Sequence, residues 1–252
     1  MENNCASHAC HLHSSVEGAR VLAGGDVVIA DGGLPDDTFN LVCRARFTED
    51  TASKRVADVI RATTSTGRPF SWWVAPTSTP ANLGDVLLEH GLSISETEEA
   101  MVADLDEVPP LPPPEALTVV TVETAEQLSD YASLMAQNWA PPSPTVVEFY
   151  DKAATAIFDH DCASRFVVGY VGKQPVTGAE VHFNSGVAGL YGIVTLQAHR
   201  RKRFGTAATL AALDLARAAG AARAVLQASS DGAPVYEKIG FTTLGTYTEY
   251  GM

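Results

Sequence analysis

One proline-rich segment near the middle of the chain constrains the fold more than any other feature of the sequence. Residues 107–116 read EVPPLPPPEA, so five of these ten positions are proline. Proline fixes the backbone φ angle and has no N–H group, which excludes this segment from a helix and from the interior of a sheet. We therefore predict a linker or a strand-to-strand crossover that separates an N-terminal lobe, residues 1–106, from a C-terminal domain, residues 117–252.

The charge and the composition exclude two kinds of partner. The formal net charge is −13, and residues 1–116 hold 7 basic and 18 acidic side chains. Nucleic-acid backbones are bound by clustered lysine and arginine, so we expect no nucleic-acid partner. No apolar run approaches the roughly 20 residues that span a bilayer, and the N-terminus lacks a basic and apolar leader. The sequence predicts a cytoplasmic protein without membrane contact.

The N-terminal segment MENNCASHACHLHSS is rich in residue types that bind zinc. Its cysteines and histidines are Cys5, His8, Cys10, His11 and His13. Their spacing matches no standard structural zinc site, and no second pair of ligands lies nearby in the sequence. We therefore predict a loose polar N-terminus, no metal, and reduced thiols at all the cysteines.

The patterns on both sides of the proline segment predict alternating strands and helices. In the first lobe, VLAGGDVVIADGG is typical of a strand or hairpin, TASKRVADVIRATTSTG and PANLGDVLLEHG of helices, and ISETEEAMVADLD of a strand that closes the lobe. In the second, LTVVTV begins a similar series that ends with the strand FTTLGTYTEY. Such alternation favours an α/β sandwich with a mixed central sheet flanked by helices.

The stretch HRRKRFGTAA, residues 199–208, concentrates positive charge in an acidic chain. Four of the 17 lysine and arginine residues stand consecutively at positions 200–203, and a glycine and an alanine-rich helix follow. The first turn of a helix presents unpaired N–H groups and a partial positive charge, and glycine lets an anion approach the backbone closely. The stretch therefore predicts a phosphate-binding loop, with a solvated basic turn as the alternative.

The order of these elements resembles the GCN5-related N-acetyltransferase (GNAT) family. That family has a loop of the form R/Q-x-x-G-x-G/A between a strand and a helix, and Arg200, Arg203, Gly205 and Ala207 lie near its register. The later stretch VLQASSDGAPVYEKIGF, residues 225–241, is similar to the closing part of the family fold. The resemblance covers about residues 117–252. The first lobe looks like a degenerate GNAT-like half, as in tandem members of the family, and so implies tandem GNAT-like lobes.

The resemblance implies acetyl-CoA or another acyl-CoA as cofactor. The residues expected to hold it are Ile193, Val194 and Thr195 on the strand, Arg200, Arg201, Lys202, Arg203, Phe204, Gly205, Thr206 and Ala207 in the loop, and Ser229. In the family pattern glycine would stand where this chain has Arg203. A donor without the nucleotide would not need that glycine, so an acidic acyl carrier protein, bound by Arg200–Arg203, is the alternative donor.

The resemblance also implies the catalytic groups. Acyl transfer from a thioester needs a neutral amine, stabilisation of the developing oxyanion and a proton for the departing thiolate. Tyr236 matches the tyrosine that commonly serves the family as general acid. The strand VAGLYGIVTL has no carboxylate, so Glu180 and His182, same-face neighbours on the preceding strand, are the candidate bases.

The acceptor is expected to be a small-molecule amine, in secondary metabolism or antibiotic modification. Trp72, Trp139 and Tyr191 are the candidate substrate-binding residues. Trp72 and Trp73 lie on opposite faces of their strand, so one of them is expected in the core. The alternative function is a non-catalytic protein that retains the fold and binds an acyl-CoA or a metabolite.

Overall fold

The strands of the chain form one continuous sheet. The structure is a computed structural model and describes residues 1–252. The strands of the first half are β1 (Arg20–Leu22), β2 (Val28–Asp31), β3 (Asn40–Cys43), β4 (Ser71–Val74) and β5 (Ser93–Asp104). Those of the second half are β6 (Thr118–Thr121), β7 (Ser164–Val171), β8 (Gln174–Asn184), β9 (Val187–Thr195), β10 (Arg223–Ala228) and β11 (Thr242–Gly251). Their spatial order is β1-β2-β3-β4-β11-β5-β10-β9-β8-β7-β6.

The sheet is mixed and the halves exchange strands. The pairs β3–β4 and β9–β10 are parallel, and the other neighbours are antiparallel. Strand β5 precedes the proline segment, yet it lies between β10 and β11, both of which follow that segment. The sequence pattern identifies β5 as a strand but assigns it to the first lobe alone. Pairing with β10 and β11 instead makes β5 the element that joins the two halves.

The proline segment itself contains no helix or strand, as its composition predicts. The Arg217 guanidinium fixes its start by donating hydrogen bonds to the carbonyl oxygens of Leu105, at 2.9 Å, and Val108, at 3.2 Å. The division into an N-terminal lobe and a C-terminal domain stays a prediction, because the sheet runs through both.

Seven α-helices accompany the sheet: α1 (Glu2–His11), α2 (Ala52–Thr64), α3 (Leu83–Glu89), α4 (Ala125–Ala136), α5 (Pro144–Ile157), α6 (Phe204–Ala218) and α7 (Ala233–Glu237). The start of α4 shows how local sequence sets an element boundary. The Thr124 hydroxyl accepts a hydrogen bond from the Gln127 N–H at 3.3 Å, and Gln127 Oε1 accepts one from the Thr124 N–H at 3.1 Å. This reciprocal cap satisfies two N–H groups that the helix cannot. No helix has the length and apolar character that crossing a bilayer requires.

The two faces of the second half are covered by different helices. Phe166 and Val168 of β7 belong to the core with α4 and α5, whereas Val167 belongs to the core with α6. This alternation is the two-residue period of a strand buried on both faces. On β8, Val181 faces the α6 core, so Glu180 and His182 face the opposite side.

The N-terminus corrects the prediction of a loose polar segment. Residues 2–11 form helix α1, which packs Ala6 and Ala9 against Val28, Ala30 and Cys43 of the first half. Its other side contacts β8 and β9 of the second half. Burial of small side chains against both halves stabilises a helix whose sequence has no strong apolar stripe. The four cysteines are all free thiols, as predicted.

The strands β9 and β10 separate along their length. They pair only between residues 187–189 and 223–225, although β9 continues to Thr195 and β10 to Ala228. Beyond Gly189, the edge of β9 that faces β10 has backbone groups without a strand partner. Unpaired backbone donors and acceptors of this kind are available to an extended ligand.

Candidate active site

A cavity of about 680 Å³ lies between the two halves of the molecule, where β9 and β10 separate. Its lining comes from α1, β3, β4, β5, α4, α5, β8, β9, β10, β11 and α7, and from the segments that follow α1, β2, α4 and β10. The residues that carry its chemistry are His8, Glu98, Glu180, Tyr191, Ile193, Ser229 and Tyr236. Elements from both halves thus enclose one cavity, so no single segment of the sequence contains all of its lining residues.

A bulge in β9 shapes one wall of this cavity. Gly178 pairs with Val194 and Glu180 with Tyr191, so β9 has one more residue than β8 across this interval. Gly192 within the bulge has a φ of 53°, and a Cβ there would collide with the Tyr131 hydroxyl. Glycine is required at this position for both reasons. Ile193, next to the bulge, lines the cavity and is one of the residues predicted to contact the donor.

The basic stretch lies at the N-terminus of α6, as predicted. The helix begins at Phe204, with Arg203 as its N-cap residue in the left-handed conformation at φ 62°. Arg201 adopts φ 61°. The first N–H groups of a helix have no partner within it, so the amides of Phe204, Gly205 and Thr206 are free to bind an anion. With its positive φ, Arg203 occupies a conformation that favours glycine.

The strand β9 and the start of α6 approach each other closely. A Cβ on Gly205 would lie 3.1 Å from Oγ1 of Thr195, at the end of β9. Arg200 Nε donates to the Thr195 carbonyl at 3.3 Å, and Lys202 Nζ donates to the Ala198 carbonyl at 3.3 Å. The predicted donor-binding residues of the strand and of the loop are therefore adjacent. Nδ1 of His199, in the same turn, is buried without a hydrogen-bond partner.

Tyr236 and Ser229 lie at the cavity wall near α7. Tyr236 is 9% exposed, and burial, aided by the charge of Glu98, raises the pKa of its phenol. The hydroxyl is therefore protonated at neutral pH and is a proton donor. The Ser229 hydroxyl lines the cavity and accepts a hydrogen bond from the Gly232 N–H at 3.3 Å, next to α7.

Glu180 and His182, the two predicted bases, differ in their access to the cavity. Glu180 lines it, and its oxygen Oε1 accepts a 2.7 Å hydrogen bond from the Ser164 hydroxyl. Burial opposes its ionisation, but His8, His11 and the Ser164 hydrogen bond together lower its pKa to about 2. His182 is fully buried, and its two ring nitrogens lie within hydrogen-bond distance of Ser164 and Ser7. Burial lowers the pKa of His182 to about 2, so this imidazole is neutral.

The predicted role of His182 as base is wrong for this structure. Its side chain does not line the cavity, because helix α1 covers it and places Ser7 against Nε2 at 2.9 Å. Glu180 is placed at the cavity but is too weak a base to take a proton from an amine unaided.

Helix α1 supplies site residues that the sequence interpretation missed. Asn4, His8 and His11 share one face of the helix, because the spacing of four and then three residues follows the helical period. Nε2 of His8 lies 3.2 Å from Oε1 of Glu180, and the ring of Tyr191 stacks on the ring of His8 at 3.7 Å. The helical spacing of Asn4, His8 and His11 was the signal in the sequence that could have identified these site residues. No group of three or more side chains suited to hold a metal ion is present.

The aromatic predictions have different outcomes. Trp72 is completely buried in the core with Val56 and Leu83 and does not line the cavity, so its predicted contact with the acceptor is wrong. Its neighbour Trp73, on the other face of β4, lines the cavity instead. Trp139 and Tyr191 both line it. The alternation of a strand predicted one core tryptophan, and only packing decided which.

One wall of the cavity is acidic. Glu96, Glu98 and Glu249 line this wall from β5 and β11. Asp37 is also among the residues that line the cavity. Burial, together with the charges of Glu96 and Glu249, raises the pKa of Glu98 to about 7. No lysine or arginine is among the lining residues. The electrostatics of this wall favour a cation.

Comparisons with known proteins agree on the architecture. Residues 128–241 match the family model described as "Acetyltransferase (GNAT) family". A search of curated proteins found no match. A solved GCN5-related N-acetyltransferase from Kribbella flavida shares 19% identity, with a TM-score of 0.73 over 98% of this chain and 94% of its own.

Two further structures are similar over most of their length. A GCN5-related N-acetyltransferase from Sphaerobacter thermophilus has 15% identity and a TM-score of 0.64 over 91% of this chain and 81% of its own. A tandem GNAT protein from the clavulanic acid biosynthesis pathway has 14% identity and a TM-score of 0.64 over 98% and 86%. The TM-scores of these structures establish the GNAT fold, and enzymes of the matching family transfer an acyl group from an acyl-CoA to an amine. Residues 128–241 are therefore similar in sequence to the GNAT family, and the chain as a whole has the GNAT fold.

Proposed function

We propose that this protein transfers an acyl group from a phosphopantetheine thioester to a small-molecule amine that carries positive charge. The observation that carries the proposal is that Tyr236, Ile193 and Glu180 line one cavity at the point where β9 and β10 separate. A proton donor, a strand with free backbone groups and a carboxylate are thus brought to the same space.

The residues present fit an acyl-CoA. The unpaired edge of β9 suits the amides of the pantetheine arm, and the free N–H groups at the start of α6 suit its phosphates. The buried Nδ1 of His199, which lacks a partner, lies in the turn that precedes that helix. Arg200, Arg201 and Lys202 add exposed positive charge beside it. Bound acyl-CoA supplies the thioester whose carbonyl carbon accepts the amine.

The residues of the chain perform the remaining chemistry. The backbone of β9 near Ile193 and Val194 orients the carbonyl and stabilises the negative charge that develops on its oxygen. Tyr236 donates its phenolic proton to the departing sulfur. Its raised pKa keeps the phenol protonated at neutral pH, so this proton is present when the C–S bond breaks. Ser229 contributes a hydroxyl to the same wall.

The acidic wall supports a cationic acceptor. Glu96, Glu98 and Glu249 face the cavity without a basic neighbour among its lining residues, so an ammonium group would relieve their repulsion. Trp73, Trp139 and Tyr191 supply aromatic faces for the rest of the acceptor. The volume of about 680 Å³ is in the range of a small-molecule site. The fold shared with a tandem GNAT protein of clavulanic acid biosynthesis is consistent with an acceptor from secondary metabolism or antibiotic modification.

The donor can be free acyl-CoA or an acyl chain on an acidic carrier protein. We favour free acyl-CoA, because Arg203 adopts the left-handed conformation of the loop and because Gly205 and Thr206, in the first turn of the helix, are partly exposed. The cytoplasm, where acyl-CoA is made and used, is then the expected location. Full activity with a carrier-bound donor and none with acetyl-CoA would reverse this choice and assign the carrier to Arg200–Arg203.

Release of free thiol from acetyl-CoA over a panel of amines tests the function. We expect release with mono- and polyamines and little with neutral alcohols, and mass spectrometry should find the acylated amine. Tight binding of acetyl-CoA without turnover on any amine would contradict the proposal and favour a non-catalytic binding protein.

A further inference from the structure

Helix α1 brings one histidine to the cavity with a carboxylate behind it. The His8 side chain is 26% exposed, whereas that of Glu180 is 2% exposed. The Nε2–Oε1 distance of 3.2 Å is close enough for the carboxylate to hold the Nε2 proton. With the proton held on Nε2, Nδ1 is the ring nitrogen left to accept another.

Two neighbours fix the orientation of the His8 ring. The ring of Tyr191 is stacked on it, with centroids 3.7 Å apart and planes inclined by 7°. The Tyr191 hydroxyl in turn donates to Oδ1 of Asn4 at 2.8 Å, one helical turn before His8. A ring held by a carboxylate and by a stacked aromatic has lost most of its rotational freedom before any ligand arrives.

The other groups near this corner of the cavity cannot take a proton as readily. Nε2 of His11 lies 2.8 Å from the Ser164 hydroxyl and Nδ1 lies 2.8 Å from the His8 carbonyl, so both its nitrogens are engaged. Burial lowers the pKa of His11 to about 4. His182 does not reach the cavity, and Glu180 is ionised and weakly basic.

Glu98 is the competing base. It lies on the acidic wall beside Glu96 and Glu249, on strands β5 and β11, and no residue of that wall orients it as Glu180 orients His8. Three carboxylates together are better suited to hold the acceptor's positive charge than to remove its proton. The variants described below separate the two assignments.

We propose that His8, oriented by Glu180, is the catalytic base that removes the proton from the acceptor amine. The inference rests on the function proposed above. The neutral form of the amine is the reacting species. As its nitrogen forms its bond to the thioester carbon, the nitrogen loses one proton to Nδ1 of His8. The C–S bond breaks, and the sulfur keeps its electron pair and takes the Tyr236 proton. His8 gains one proton and Tyr236 gives one, and proton exchange with water restores both side chains.

Four charged or titratable groups face His8. They are Glu180 and His182 on β8, Tyr191 on β9 and His11 on α1. Burial keeps both other histidines neutral and raises the pKa of Tyr191, so Glu180 carries the negative charge of this group at neutral pH. The acid side of the pH–rate profile should therefore change when the Glu180 charge is removed.

The kinetic test compares His8→Gln, Glu98→Gln and Glu180→Gln with wild type. At neutral pH His8→Gln should lower kcat/KM by about 10²–10⁴-fold, abolish the acid limb of the pH profile and leave the dissociation constant of acetyl-CoA within about twofold. Raising the pH should restore part of the rate, because more of the amine is then neutral in solution. His160→Gln, at a surface position 97% exposed, is the matched control and should behave like wild type.

A spectroscopic test does not depend on turnover. Long-range proton–nitrogen NMR of the folded wild-type protein should show His8 as the Nε2–H tautomer at high pH, and Glu180→Gln should weaken that preference. An Nδ1–H tautomer would overturn the inference even if acyl transfer is observed. Retention of the rate and of the acid limb in His8→Gln, or loss of the limb in Glu98→Gln alone, would also overturn it. Failure of the wild type to acylate any amine would instead remove the proposed function, while the tautomer could still be measured.

Discussion

The side-chain amide of Asn4 donates a hydrogen bond of 2.9 Å to the backbone carbonyl of Val187. The same amide donates to the carbonyl of His182 at 3.1 Å, and its oxygen accepts from Tyr191. These contacts fasten the N-terminal helix to strands β8 and β9 and so position His8 above Glu180.

Asn4→Ala should destabilise the protein by about 2 kcal/mol, because it removes the side-chain hydrogen bonds to two backbone carbonyls and to the Tyr191 hydroxyl. Equilibrium urea unfolding measures the change. Asn3→Ala is the matched control, since Asn3 is exposed on the same helix and should cost less than about 0.5 kcal/mol. Equal effects of the two substitutions would show that α1 does not depend on these contacts.

Tyr236→Phe should lower kcat by about 10²-fold or more while the affinity for acetyl-CoA stays nearly unchanged, because the change removes the proton donor and keeps the aromatic ring. Thiol release and isothermal titration give the two quantities. Tyr170→Phe is the control, because the Tyr170 hydroxyl donates to Asp130 on α4 and the residue does not line the cavity. An unchanged rate in Tyr236→Phe would remove this residue from the mechanism.

Arg200→Gln combined with Arg201→Gln should weaken CoA binding by about tenfold, because two exposed guanidinium groups beside the α6 N-terminus are lost. The dependence of binding on salt should also become smaller. Lys173→Gln, in the exposed β7–β8 turn, should have no effect on binding. Pantetheine has no phosphate, so its affinity should not change in the double variant; an unaltered affinity for CoA would show that the loop does not contact the phosphates.

Arg203→Gly should raise the free energy of unfolding by about 0.5–1 kcal/mol, because glycine adopts the observed φ of 62° without strain. Urea unfolding measures it. Arg200→Gly is the control, since Arg200 has a φ of −64° and should gain nothing. A loss of stability in Arg203→Gly would mean that the arginine side chain makes contacts worth more than the backbone strain.

Acid should destabilise the protein below about pH 6.5, before most carboxylates titrate. Burial lowers the pKa of His11 to about 4 and of His182 to about 2, so the folded chain holds both neutral while the unfolded chain binds protons. Stability is then present above the unfolded histidine pKa and is lost as the pH falls, by up to about 1.4 kcal/mol per pH unit for each group. The pKa of Glu180 is lowered to about 2, so this carboxylate also contributes stability that is lost as the pH falls below about 4.5.

Unfolding midpoints between pH 7.5 and 4.5 measure this slope. His182→Gln should reduce it, whereas His160→Gln should leave it as in wild type, because residue 160 is exposed. A stability that does not vary over this interval would contradict the burial of neutral histidines under α1.

The sequence by itself determined the features that depend on neighbouring residues. Five prolines in ten positions prevent regular structure at 107–116 whatever surrounds them, and the glycine and alanines after Arg203 start a helix with free N–H groups. The tertiary structure decided the rest: that β5 joins β10 and β11, that Trp73 rather than Trp72 reaches the cavity, and that α1 brings His8 to Glu180. Those outcomes depend on how surfaces distant in sequence fit together. The small and polar side chains of α1 gave no local signal for such a fit, because their burial becomes favourable only between two assembled halves.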